Sequence, residues 1–228
     1  DERAVRELAA AHGYAHARLL RAAHRTRLGI ISRAPLTSSA ELGVPRGGAR
    51  DATTIGHGML CARIDGWPAL CLTHLTAAGE RKRAREAAAA LTLLPSEPHV
   101  LLGDLNVISP LEIAPPLSAL RASRVLRTKY LDSGGVHSAA GAMRALLAAG
   151  WRDVAHLSGG DGPTLRRAPS NGPRAGAEPT VALRVDYAMA SPALARACAS
   201  GLWARALGAG AGGVGGTDHS PLEVALGH

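Results

Sequence analysis

Four short stretches set ionisable or amide side chains at the end of an apolar run or just before one: "CLTHL" with His74, "LLGDLNVISP" with Asp104 and Asn106, "LRVDYAMAS" with Asp186, and "GTDHSPLEV" with Asp218 and His219. An ionised carboxylate is expensive to take out of water, so one at the rim of a core needs solvent, a partner or a chemical task. Taken singly, each Asp or Asn reads as a turn residue, because these side chains bond to the backbone of tight turns. Taken together, carboxylates, an amide and imidazoles fit transfer of a phosphoryl group to water. That chemistry needs an oriented nucleophile, neutralised charge on the equatorial oxygens and help for the leaving oxygen. A hard divalent cation suits the same set, since it takes few protein carboxylates and keeps waters that substrate oxygens can replace. A His beside an Asp is held charged and oriented.

Other motifs fall away on physical grounds. The run "GAGAGGVGG" contains a GxGxxG at Gly208, Gly210 and Gly213, but a dinucleotide site needs an acid about 20 residues further on, and the chain ends before that. It reads as a loop beside a site. His12 and His16 have helical spacing, but Gly13 between them ends the helix. No HExxH or GxSxG occurs, which removes the common zinc-protease and serine-hydrolase patterns. Cys61, Cys71 and Cys198 form no CxxC and no even set, so they read as buried, reduced thiols.

The composition of 228 residues, 46% hydrophobic, allows one domain over 1–228 with a sizeable core. A formal net charge of +8 favours a phosphate-bearing or polyanionic partner. Only 3% of residues are aromatic and Phe is absent, so stacking platforms for single-stranded bases are scarce. With no apolar run of about 18 residues and no export signal, the expectation is a cytoplasmic protein without a membrane span.

The elements that must position these residues follow from periodicity. A helix ends near His12, and strand-length apolar runs cover Leu28 to Ser32, Gly58 to Ile64, Ala69 to Leu75 and His99 to Leu105, with Asp65-Gly66 as a hairpin turn. "GERKRAREAAAALTLLPS" predicts a helix with Ala84, Ala87, Ala88, Leu91 and Leu94 on its buried face, charges elsewhere, and a stop at Pro95. Further helices are expected over Ala114 to Leu131 and Ala139 to Ala149, the latter capped by Gly150. Ser158 to Pro179 reads as a long loop, and Val181 to Ser191 and Ser220 to Leu226 as strands. The interleaving predicts a mixed α/β arrangement with helices outside.

The order strand-His74-Leu75, Arg-rich helix, Gly103-Asp104-Leu105-Asn106, Arg184-Val185-Asp186-Tyr187, Thr217-Asp218-His219-Ser220-Pro221 resembles the endonuclease/exonuclease/phosphatase superfamily, which includes DNase-I-like nucleases and inositol polyphosphate phosphatases. The resemblance runs from about Leu28 to Leu226. It implies a four-layer sandwich of two packed mixed β-sheets flanked by helices, and a metal-dependent phosphoesterase that favours phosphodiesters over monoesters. It further implies that Asp104 orients or deprotonates the attacking water and Asn106 binds the scissile phosphate. His219 would hold a non-bridging oxygen with Asp186 behind it, His74 would face the phosphate or the leaving oxygen, and Asp218 would ligate Mg²⁺, with Mn²⁺ as the alternative.

The pattern also departs from the family. Members begin with an Asn-bearing strand and a strand ending in a metal-binding Glu, whereas this sequence opens on the helix "DERAVRELAAAHGY", so the resemblance implies that those strands lie upstream of Asp1. Glu2 falls in the helix and is a poor substitute. The stretch Leu111 to Gly150 is longer than a crossover requires and is expected to cap the site. Two rival expectations follow: an inactive binding scaffold of the same fold, and a nuclease gripping duplex nucleic acid through its backbone.

Overall fold

The computed structural model describes residues 2–20, 28–44, 52–112, 115–132, 134–135, 137–160, 162–167, 181–197, 201–206, 219 and 222–226. At its centre lies a six-stranded mixed sheet in the order β3 (Leu36–Leu42), β4 (Met59–Ile64), β5 (Ala69–Thr73), β6 (His99–Asp104), β10 (Asp186–Ala190), β7 (Arg152–Asp153). β5 and β6 are parallel and the other neighbours antiparallel. A parallel pair needs a crossover, and α2 (Glu80–Leu93) supplies it.

Side chains alternate between the two faces of a sheet, and here each face meets a different layer. One face carries Cys61, Cys71, Leu101, Tyr187 and Met189 into a cluster with α2 and with Met143 and Leu146 of α5 (Gly141–Ala148). On the other, Leu60 and Ala62 pack with Leu20 and Ile30 beside the antiparallel pair β1 (His16–Leu19) and β2 (Gly29–Ser32). Val100, Ala188 and Ala190 on that same face pack with Ala204 and Val224 of β11 (Leu202–Ala206) and β12 (Leu222–Leu226). α1 (Glu2–Ala11) lies against β1 and β2. The result is the expected sandwich of sheets flanked by helices. A separate cluster gathers α3 (Leu117–Ala122), α4 (Arg124–Tyr130), β8 (Leu165–Arg167) and β9 (Val181–Leu183) around Leu120, Tyr130 and Val185. α6 (Val154–Leu157) and α7 (Pro192–Ala197) complete the described helices.

Several expectations need correction. Cys61 and Cys71 are not reduced thiols but a disulfide, their Cα atoms 4.0 Å apart as direct partners across β4 and β5. The register about Gly66 sets them opposite one another, and spacing rules built on CxxC pairs miss that. α2 does not keep its charges outside: Arg83 and Glu86 are buried while Ala88 is exposed. Arg83 bonds to Glu80 at 2.9 Å, to the Thr76 carbonyl at 3.3 Å and to the Lys129 carbonyl, so its charge enters the core already partnered. The expected single helix over Ala114 to Leu131 is two, divided at Ser123, whose hydroxyl accepts the Leu126 N–H. Leu36–Leu42 forms edge strand β3, which the apolar runs do not predict, because its mostly exposed residues offer no alternation to read. The Gly208 to Gly216 run lies outside the described residues.

Candidate active site

The strand register assembles the site. β5 and β6 run parallel and end together, while β10 starts beside them, with Asp186 directly opposite Asp104. Gly103 permits the approach: its φ is +144°, and a Cβ there would lie 1.8 Å from the Thr73 carbonyl oxygen. Past the strand end the chain turns through Asn106 in the left-handed region, φ 50°, with its N–H donating to Asp104 Oδ1 at 2.8 Å. The Asp104 carboxylate thus closes an Asx turn, and the left-handed backbone falls on an Asn, which tolerates it better than most residues. The amide of Asn106 is buried and fixed: Nδ2 donates to the Leu75 carbonyl at 2.9 Å and lies 3.1 Å from His74 Nε2.

His219 closes the third side. Its Nδ1 is 2.7 Å from Asp186 Oδ2, and its Nε2 is 4.0 Å from Asp104 Oδ2. His74 Nε2 is 3.5 Å from the same Asp104 oxygen. Five of the six residues singled out in the sequence, His74, Asp104, Asn106, Asp186 and His219, therefore meet at one end of the sheet. Asp218 lies outside the described residues. Glu2 pairs with Arg6 and Arg18 at 2.7 and 3.8 Å.

Burial pushes the Asp104 carboxyl up to about 6, with the Asp186 charge adding to the rise. Burial likewise lowers His74 to about 4, helped by His57. At neutral pH His74 is therefore uncharged, and its Nε2 can accept from the Asn106 amide. The imidazole acts as a fixed acceptor that orients the amide.

Several residues around this set carry no sequence motif. The His57 ring stacks on His74, centroids 4.4 Å apart and planes 17° from parallel. Glu86 ties both rings' segments to α2: its Oε1 accepts the Gly56 N–H at 2.9 Å and its Oε2 the Thr76 N–H at 2.6 Å. Lys129, from the stretch expected to cap the site, acts through its charge on both His74 and Asp104. Thr164 Oγ1 accepts the N–H groups of Val185 and Asp186, both at 3.0 Å, and so sets the start of β10. The Tyr187 hydroxyl accepts the Ser109 N–H at 3.0 Å and sits within 3.0 Å of the Val107 and Arg184 carbonyls, fixing the turn beyond Asn106. Beneath it Arg184 forms a forked pair with Asp153 at 2.9 and 2.6 Å and a further pair with Glu112. Burial alone would lower the Arg184 pKa, but the bonds and charge of Asp153 raise it, so the guanidinium stays charged.

Asp104, Asp186 and His219 bring ligand atoms within 4.8 Å of one another. Two carboxylates held face to face in a partly dry site repel, and a divalent cation with a preference for oxygen donors relieves that repulsion. The donor set fits such a cation.

The sequence matches the Endonuclease/Exonuclease/phosphatase family over residues 1–219. No curated protein matches it. Among solved structures, a Neisseria 3′ phosphatase, NExo, bound to a product DNA hairpin superposes with a TM-score of 0.64 at 16% identity, over 96% of this chain and 82% of that one. An AP endonuclease from Archaeoglobus fulgidus gives 0.62 at 16% identity, over 96% and 81%. D. rerio TDP2 complexed with a single-strand DNA product gives 0.57 at 16% identity, over 96% and 79%. At these identities the superpositions speak for the fold.

Proposed function

Given that this chain belongs to the Endonuclease/Exonuclease/phosphatase family, whose members are metal-dependent phosphoester hydrolases, we propose that it is a phosphodiesterase in which Asp104 orients and deprotonates the attacking water. The observation that carries this reading is the Asp104–Asp186 opposition across β6 and β10, closed by His219. A carboxyl titrating near 6 is a better base toward water than an ordinary aspartate and is still largely ionised at neutral pH. Asn106 keeps its bond to the Leu75 carbonyl and turns the donor that His74 holds in the free site to the scissile phosphate, and His219, oriented by Asp186, holds a non-bridging oxygen. A diester suits the site better than a monoester. It brings one negative charge rather than two to a place already holding two acids, where His219 and then Lys129 favour the ionised form of Asp104.

Mg²⁺ is the proposed cation, with Asp218 as its ligand by the family pattern and the charges of Asp104 and Asp186 drawing it to this strand end. When bound it supplies Lewis-acid stabilisation of charge on the phosphate oxygens. The test is hydrolysis of bis(p-nitrophenyl) phosphate against p-nitrophenyl phosphate, with and without EDTA, for the wild type and His219→Ala. Diester turnover lost both on chelation and in the variant is expected. Turnover indifferent to both refutes the proposal, and a faster monoester refutes the preference.

A further inference from the structure

Beside the catalytic strand ends lies an open groove of about 820 Å³, bounded among others by Thr54, His57, Thr76, Lys82, Arg85 and Glu86. Its size falls within the range of ligand-binding clefts. The groove is joined to the site by one ring stack, for His57 forms its wall and lies 4.4 Å from His74, which contacts Asp104. Charge in the groove is unbalanced toward cations. Lys82 and Arg85, one turn apart on α2, are exposed and have no acidic partner among the described residues. The acid that shares the wall is turned inward, since both Glu86 oxygens accept backbone N–H groups of Gly56 and Thr76. Lys82 also borders a second groove, of about 670 Å³, lined among others by Arg81 and Arg127 and by the acids Glu80 and Asp132. Hydroxyls of Thr54 and Thr76 add neutral hydrogen-bonding groups.

Two exposed cations, an imidazole and two hydroxyls around an open groove match an anion with several acceptor oxygens. From this arrangement we infer that the Lys82–Arg85 groove binds a second phosphate group of the substrate, one that flanks the phosphate being hydrolysed. This rests on the phosphodiesterase reading for the identity of the neighbouring site, but the groove's own affinity does not depend on turnover. The second phosphate can come from the next unit of a nucleic-acid strand or from a soluble polyphosphorylated ester, and both present the same group to the groove.

The experiment compares the wild type with Lys82→Ala/Arg85→Ala. Binding of fluorescein-labelled octathymidylate is followed by polarisation in EDTA over a salt series, with inositol hexakisphosphate as competitor. Turnover of bis(p-nitrophenyl) phosphate, which has a single phosphate, is measured in Mg²⁺ as the control. The variant is expected to bind a multiply phosphorylated probe about tenfold more weakly while its turnover of the control stays within twofold of wild type. For the single strand, loss of two phosphate contacts flattens the dependence of log K on log salt by about 1.4. A loss confined to the oligonucleotide identifies a strand as the source, and a loss confined to inositol hexakisphosphate identifies a soluble polyphosphate. Unchanged binding of both probes, no binding of either by the wild type, or an equal loss on the single-phosphate control overturns the inference. A wild type that binds through the groove but turns over no phosphodiester overturns the catalytic reading alone.

Discussion

Asp104→Asn separates what the site costs the fold from what it does for chemistry. The Asp104 carboxyl titrates near 6 in the folded chain against an ordinary 3.8, because it is buried and faces Asp186. A folded-state pKa raised in this way means that folding favours the protonated acid. Its contribution is therefore fully present below 3.8 and is lost as pH rises through 6. The difference converts to about 3 kcal/mol against the charged folded form at pH 8, shrinking to below about 1 kcal/mol at pH 4. An asparagine keeps the acceptor for the Asn106 N–H and removes the charge. Urea denaturation in EDTA should show the variant more stable than wild type by up to about 3 kcal/mol at pH 8, with the gain nearly gone at pH 4. Diester hydrolysis in Mg²⁺ should fall by about 10²- to 10⁴-fold, the range for loss of a general base. Added Mg²⁺ should narrow the stability gap at pH 8, since a cation that binds the folded wild type stabilises it by mass action. A variant no more stable than wild type at pH 8, or one stabilised equally at both pH values, would refute the reasoning.

Gly103→Ala should be far more damaging than its one methyl group suggests, because the new Cβ would meet the Thr73 carbonyl at 1.8 Å in a backbone conformation with φ +144°. A loss of about 3 kcal/mol or more in urea is expected, and displacement of Asp104 should cost about 100-fold in turnover. Thiol titration of the denatured protein without reductant should find one free cysteine of the three, with Cys198 the reactive one, and three after reduction.

The sequence made the chemistry legible where an acid or amide broke a strongly apolar run, and β5, β6 and β10 were found that way. Those strands lie inside the sheet, where burial enforces hydrophobic runs that can be read without knowing their neighbours. Edge strand β3, with exposed Ser38, Ser39 and Glu41, has no such constraint and shows no apolar run to read. His57 was invisible for another reason: it stands in a turn with no motif around it, and only folding brings its ring onto His74. Arg83 and Glu86 looked like surface charges on a polar helix face. Their burial depends on acceptors and donors at Lys129, Gly56 and Thr76, which no local pattern reveals.

The main chain alone fixes the Asp104 carboxylate, through a glycine at 103 that admits no side chain and a left-handed turn at Asn106. The groove walls are built differently, from exposed side chains on the first turns of α2 and from a loop tied down by one glutamate. The two parts can therefore diverge at different speeds. On the proposed reading, replacing Lys82 or Arg85 should alter which ester is held without touching the geometry around Asp104, whereas almost any change at Gly103 should disturb that geometry before selectivity can be tried. In such a scaffold new substrates are reached by editing the rim, and the reaction is inherited with the backbone.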